Sequence, residues 1–337
     1  MIRIDIPTRD ESKEFYLEKD KDSYKLVMKN EHGTPFEMDL YRDQLNMLRK
    51  SIETVMSTKY HMLDTRQYIE EHLTTYRMIT ESMVRHPMLG VVVDNMTNST
   101  LIPVLQEVTK QCDIQLEFIN DSDETIKDTQ KYDGIIVAHN IGMPKVEYDR
   151  LCKQYIECGN EHDISGYHKE SGYFNAYAVA VRNYGQYLLW DKLNYNPIWG
   201  IVGAGDYYVG KPLTDLLREN PQNTVIATDS MDSETIRKIS EVSDIVVVCS
   251  EKPYVIDKDS YISGKIYIDC NTQKENGEFF GCVHPSLYED GENIVPASQG
   301  INYLIADVII HNLIEAYAYR WFKPNERAAI METLESN

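Results

Sequence analysis

Residues 198–212 read IWGIVGAGDYYVGKP, and the fold follows from how this stretch changes character. IWGIV is a short continuous apolar run of the kind expected of a strand buried on both faces. Gly203 and Gly205 then break the run, and a helix is expected from about Gly210 to Glu219. A glycine-rich turn between a buried strand and a helix is a physical device for holding phosphate. Glycine lets the backbone turn sharply and approach a pyrophosphate, while free N–H groups and the helix dipole meet its negative charge. Such turns also arise for steric reasons alone, so the surrounding order of elements decides.

That order continues as TVIAT, a helix around residues 234–242, DIVVVC and KIYIDC. Strands that alternate with helices imply a parallel α/β sheet, and residues 184–301 are expected to form a dinucleotide-binding Rossmann unit. Asp229 ends the second strand of this unit, close to where an acidic side chain accepts hydrogen bonds from the adenosine ribose. A carboxylate there would repel a 2′-phosphate and favour NAD over NADP. The other reading of Asp229 is a turn residue or helix cap in TDSMDSE, where Ser230 and Asp232 are equally suited.

Upstream, a second α/β unit is expected over residues 61–183, completed by a C-terminal helix over 302–325. Asp64 and Gln67 fit a capping box, and Ile69, Leu73, Tyr76, Ile79 and Met83 recur on one helical face until His86-Pro87. LGVVV, a helix through Leu101, Val104, Leu105, Val108 and Cys112, IQLEF and DGIIV follow. The segment from Asn302 to Arg320 is apolar almost all round, with Asp307, His311 and Glu315 in one narrow polar stripe, so it is expected to be buried where two units meet. The first sixty residues form a small α+β extension: FYLE, YKLVMK and PFEMDL read as a meander, and Leu45, Leu48, Ile52 and Val55 as a helix.

Composition narrows the function classes. The net charge of −20 repels a phosphate backbone, which argues against nucleic acid as a partner. No apolar run approaches the roughly 20 residues that span a bilayer, and the start lacks the apolar stretch of a signal peptide, so a cytoplasmic protein without membrane contact is expected. The six cysteines are scattered, with no CxxC and no finger-like spacing, which implies reduced structural thiols and no metal site.

GAGDYYVGKPL after a buried strand is more specific than the glycine turn alone, and with it the chain resembles the bifunctional methylenetetrahydrofolate dehydrogenase/cyclohydrolase family. SDIVVV, Lys252-Pro253, KIYIDCN and NIVPASQGINYLIADVIIHNLIEAY are similar to that family's successive landmarks, as are MLDTRQYIEEHL, DGIIVAHNIGMPK and DISGYHKESGY upstream. The resemblance covers about residues 61–325 and implies an NAD(P)-dependent oxidoreductase acting on a one-carbon tetrahydrofolate or another small substrate, assembled as a homodimer. The cofactor-binding set it implies is Gly203, Ala204, Gly205, Val209, Gly210, Lys211, Pro212, Asp229, Ser230, Ser250, Cys270 and Gly300. His139, Asp163, Ser165 and His168 are the candidates to line the substrate side. His139 suits a base near neutral pH but also an ordinary loop histidine.

Departures from the family pattern are equally informative. The tyrosine and proton-transferring lysine of the family's YVxxK helix fall on Leu101 and Leu105, and the second aspartate of its DVDG segment falls on Ser165. Its arginine-serine pair at the glycine turn becomes Ala204-Gly205, and another arginine becomes Met231. Hydride transfer needs alignment more than acid/base help. Dehydrogenase chemistry is therefore expected to survive these changes and cyclohydrolase chemistry to be lost. Two alternatives keep the fold: a non-catalytic dinucleotide-binding protein, and a dehydrogenase for a shikimate-like or amino-acid-like substrate.

Overall fold

The computed structural model describes residues 2–5, 14–20, 23–29, 35–40, 65–93, 99–120, 129–138, 145–155, 163–166, 171–189, 196–275, 278–290, 293–297 and 300–335. Met1–Tyr60 and His61–Asn337 are separate compact units. In the first, β1 (Ile2–Asp5), β2 (Glu14–Asp20), β3 (Ser23–Lys29) and β4 (Pro35–Leu40) form an antiparallel meander in chain order. The helix expected around Leu45–Val55 lies outside the described residues, as does Asp64 of the capping box.

The second unit holds two parallel sheets. β5 (Met88–Val93) is central in one, flanked by β6 (Gln115–Asn120) and β7 (Gly134–Val137). Five of its six residues are buried, as a strand covered on both faces requires. Three helices accompany this sheet: α1 (Thr65–Glu81), α2 (Leu101–Gln111) and α3 (Lys145–Tyr155). The other sheet contains β8 (Ile198–Val202), β9 (Thr224–Thr228), β10 (Ile245–Val248), β11 (Ile266–Asp269) and β14 (Ile294–Val295). Its spatial order is β14-β11-β10-β8-β9. The chain therefore reverses direction across the sheet between β8 and β10, which opens the crevice where doubly wound sheets bind ligands. A short hairpin, β12 (Gln273–Glu275) with β13 (Glu278–Phe280), follows β11.

α4 (Ala176–Leu188), packed on α8, spans the position 183/184 where the sequence placed a division. Asn175 caps it by accepting a hydrogen bond from Ala178 N at 3.0 Å. In the second sheet α5 (Gly210–Arg218) follows β8 and α6 (Ser233–Val242) follows β9. A single turn, α7 (Ser286–Asp290), precedes β14.

The long apolar helix is α8 (Gly300–Trp321). It ends four residues before the expected limit at 325. The chain breaks at Phe322-Lys323, and Pro324, suited to a first helical turn, starts α9 (Pro324–Glu335). Packed on α1, α2, α4 and β7, α8 belongs to one continuous apolar core that also contains Val91 of β5, Trp199 and Ile201 of β8, and Val247 of β10. Its polar stripe faces α1: His72 Nδ1 lies 3.1 and 3.2 Å from the Asp307 carboxylate oxygens, and His311 approaches the Tyr76 ring, centroids 6.2 Å apart. Burial lowers the His311 pKa and raises that of Glu315. Asp307 is thus paired, and none of the three stripe residues is among those that line the cleft at the glycine turn. No described helix is long and apolar enough to cross a membrane.

α4 packs tightly on the second sheet at β8 and β10. A Cβ added at Gly185 would stand 2.3 Å from Cη2 of the fully buried Trp199 and 3.0 Å from Ile245 Cδ1. Alanine is favoured over glycine in a helix by about 1 kcal/mol, whereas overpacking a close-packed core costs about 1–3 kcal/mol. Gly185→Ala is therefore expected to destabilise the protein, by on the order of 1 kcal/mol, as a lower urea midpoint at unchanged slope. A raised midpoint would show that Trp199 yields without cost.

Candidate functional site

The glycine turn lies at the carboxyl end of β8, at the reversal point of the sheet. Gly203 has φ +79°, and a Cβ there would lie 2.4 Å from the carbonyl oxygen of Cys249, the residue after β10. Only glycine lets the two strand ends come this close. A narrow cleft opens beside this point. It is lined from the second sheet by Asp206, Tyr208, Val209, Cys249, Cys270, Asn271 and Thr272, and from the helices by Thr100, Leu101, Tyr177, Ile301, Asn302 and Ile305. Asp206 is the single charged side chain among these.

The turn's backbone donors are engaged within the chain. Gly203 N and Ala204 N donate to Thr228 O at 2.8 and 3.2 Å, which ties the turn to the end of β9. Gly205 N donates to Asp229 Oδ1 at 2.6 Å. Asp206 Oδ1 accepts from Val209 N at 2.8 Å and from Gly210 N at 3.2 Å. Burial raises the Asp206 pKa, and backbone N–H groups of Val209, Gly210 and Tyr208 oppose that shift. Asp229 is not a helix cap. Asp232 caps α6 by accepting from Thr235 N at 2.8 Å, with its pKa lowered to about 2 by hydrogen bonds from Ser230 and Thr235. Ser230 Oγ is thereby turned toward Asp232.

The remaining residues named from sequence fall in different places. Val209 lines the cleft, and Gly210 opens α5 beside it. Lys211 is exposed and paired with Asp215 at 3.0 Å, and Pro212 follows it in the first turn. Ser250 is buried and does not line the cleft: its Oγ accepts from Lys252 N at 2.9 Å and its carbonyl from Asn271 Nδ2 at 2.6 Å. Cys270 lines the cleft beside Cys249 of the neighbouring strand. Its thiol pKa is raised by burial, which leaves it a weak nucleophile. Gly300 begins α8, its carbonyl accepting from Thr65 Oγ1 at 2.9 Å.

Asp163 and Ser165 are buried together. Ser165 N and Oγ donate to Asp163 Oδ1 at 2.9 and 2.6 Å, and Asn312 Nδ2 of α8 donates to Ile164 O at 2.9 Å. This closed turn is not among the cleft-lining residues. His139 and His168 lie outside the described residues, as does Lys169. Leu101 lines the cleft, Leu105 is fully buried, and Lys110 borders a separate depression with Gln106 and Asp113. Tyr207 and Tyr208 pack ring to ring, and Tyr208 meets Tyr148 of α3 at 5.1 Å, so the pair joins the turn to the first sheet.

Sequence reading missed Asp206, Asn271, Thr272 and Asn302. Asp206 had a local signal, since an Asp three residues before a helix-opening Val-Gly is placed to cap it. Asn302 had none, because it is a single polar residue in the otherwise apolar first turns of a helix, outside its polar stripe.

The comparisons agree with this geometry. Residues 198–321 match the tetrahydrofolate dehydrogenase/cyclohydrolase, NAD(P)-binding domain family. A bifunctional protein FolD of Dictyoglomus turgidum is 30% identical over 117 residues, a match that spans 34% of this chain and 41% of that protein. Among solved structures, a 5,10-methylenetetrahydrofolate dehydrogenase from the silkworm, Bombyx mori, superposes with a TM-score of 0.61 at 19% identity, covering 77% of this chain and 99% of that one. A bifunctional 5,10-methylenetetrahydrofolate dehydrogenase/cyclohydrolase from Thermoplasma acidophilum gives 0.60 at 20% identity, covering 77% and 98%. The curated match thus spans about two fifths of its relative, and the structural likeness extends the shared fold across both sheets. With its glycine turn at the reversal point of a five-stranded parallel sheet, the chain is similar to FolD proteins over residues 198–321, the stretch that matches the NAD(P)-binding domain of the tetrahydrofolate dehydrogenase/cyclohydrolase family.

Proposed function

We propose that the protein is a cytoplasmic, homodimeric dehydrogenase that moves hydride between NAD and a small substrate, a one-carbon tetrahydrofolate or another molecule seated in the same cleft, without the cyclohydrolase step. The observation that carries this reading is the cleft itself, which runs from the glycine turn past Cys249, Cys270 and Asn271 to Leu101 and Asn302. A bound nicotinamide dinucleotide supplies the hydride chemistry. The chain's own contribution is placement: Gly203 permits close approach, Asn271 and Thr272 offer polar contacts at the strand ends, and Leu101, Ile301 and Ile305 exclude water.

The preference for NAD rests on the β9 end of the turn. Asp229 holds Gly205 N from a largely exposed position, just past the second strand of the unit, where an acidic side chain meets the adenosine ribose in dinucleotide-binding folds. Ala204 and Gly205 offer no side-chain donor, and Met231 packs against the apolar cluster under α6. We expect NADH to bind at least several-fold more tightly than NADPH in calorimetry, and Asp229→Ser to narrow the ratio. Equal or tighter NADPH binding by the unaltered protein would contradict the assignment.

Loss of the cyclohydrolase step follows from the same cleft. Leu101 stands on its wall, Leu105 is in the core, and Lys110 borders a different depression. General acid/base assistance is worth about 10² to 10⁴ in rate. Methenyltetrahydrofolate hydrolysis is expected to match the buffer rate, or to fall below a competent relative by about that factor. Robust turnover abolished by Lys110→Ala would overturn this part of the reading.

A further inference from the structure

The family match fixes residues 198–321 as a dinucleotide-binding domain, and the open question is what the charged residue inside its turn does to that ligand. A helix N-terminus after a glycine turn attracts phosphate because its first N–H groups have no partner within the helix. Here they have one. Asp206 Oδ1 accepts from Val209 N at 2.8 Å and Gly210 N at 3.2 Å, at the entry to α5. The same residue is anchored at both ends of its backbone, with its N–H on Gly203 O at 3.0 Å and its carbonyl on Lys211 N at 2.6 Å. Asp229 engages the next donor back, Gly205 N, at 2.6 Å. Among the described residues that line the cleft there is no lysine or arginine to compensate a diphosphate.

We propose that Asp206 is an internal stand-in for the cofactor's pyrophosphate: its carboxylate fills the anion position at the head of α5, and a dinucleotide engages that position only by displacing it. The proposal rests on the dinucleotide reading above and adds a specificity rule to it. Competition falls on the phosphates and leaves the adenosine end untouched, because Asp229, 24 residues from Gly205 in sequence, serves that end from β9. A phosphate-free adenosine ligand therefore avoids the competition, whereas ADP-ribose and NADH meet it in full. The unaltered protein is accordingly a weak binder of its own cofactor, with affinity set by a single carboxylate.

The test is calorimetric titration of the full chain with adenosine, ADP-ribose and NADH, for the unaltered protein, Asp206→Asn and Asp206→Ser. Serine is an uncharged helix cap of comparable quality, so Asp206→Ser retains the turn while removing the charge, and thermal melts of both variants monitor the fold. Hydrogen bonds to a charged group are among the stronger ones in proteins. NADH and ADP-ribose are therefore expected to bind about tenfold more tightly to both variants, with adenosine unchanged. Unchanged or weaker NADH binding in a variant that melts normally would overturn the role of Asp206 while leaving the dinucleotide site in place. A gain shared equally by adenosine would also overturn it, because a general loosening of the cleft would then be the cause. Failure of every variant to bind any of the three ligands would overturn both this proposal and the dinucleotide reading.

Discussion

A helix apolar almost all round has no stable position at a surface, and the burial of α8 is the constraint on which the second unit depends. From Gly300 to Ile310 every residue of it is buried, and such a helix is stable only when other elements close around it. α1, α2, α4 and β7 do so, which leaves one apolar core running from β5 to β10. The first two turns of the same helix carry Ile301, Asn302 and Ile305 into the cleft, while Asp307 points to His72 on α1. Core and site are thus set by one rotation angle about one helix axis, and Thr65 Oγ1 on Gly300 O fixes its starting point.

The glycine turn is the second place where packing and chemistry coincide. Gly203 is required because β8 and β10 end within touching distance, with the Cys249 carbonyl in the space a Cβ would take. The two thiols that follow β10 and β11 are brought side by side by the parallel register that pairs Val248 with Asp269. Both have raised pKa values. They therefore act as small, neutral wall groups, suited to a cleft whose single described charge belongs to Asp206.

Two aspartates close in sequence illustrate how geometry divides labour that composition leaves open. Asp229 and Asp232 both lie in TDSMDSE, and either is chemically fit to cap a helix or meet a ribose. Asp232 precedes α6 and reaches Thr235 N; Asp229 follows β9 beside the turn and reaches Gly205 N. Three residues of chain separate two roles, because the strand ends at Thr228 and the helix begins at Ser233.

The sequence by itself determined the parallel α/β class, the strands at LGVVV, IWGIV and TVIAT, the glycine turn and the buried C-terminal helix, because each is written in local periodicity or in a residue type that one backbone shape demands. It gave no sign of α4, whose tyrosines and small residues carry weak periodicity and whose tight fit on Trp199 involves a strand outside the helix. Nor did local pattern separate Asp163 and Ser165 from the cleft. They sit in a segment similar to a substrate-binding motif, yet Ser165 donates directly to Asp163, and Asn312 of α8, 147 residues further on than Ser165, donates to the Ile164 carbonyl between them. Only the tertiary structure decided which polar groups face the cleft and which satisfy one another. The choice turns on long-range packing of helices whose rotation is fixed by the whole core, and no window of neighbouring residues contains that information.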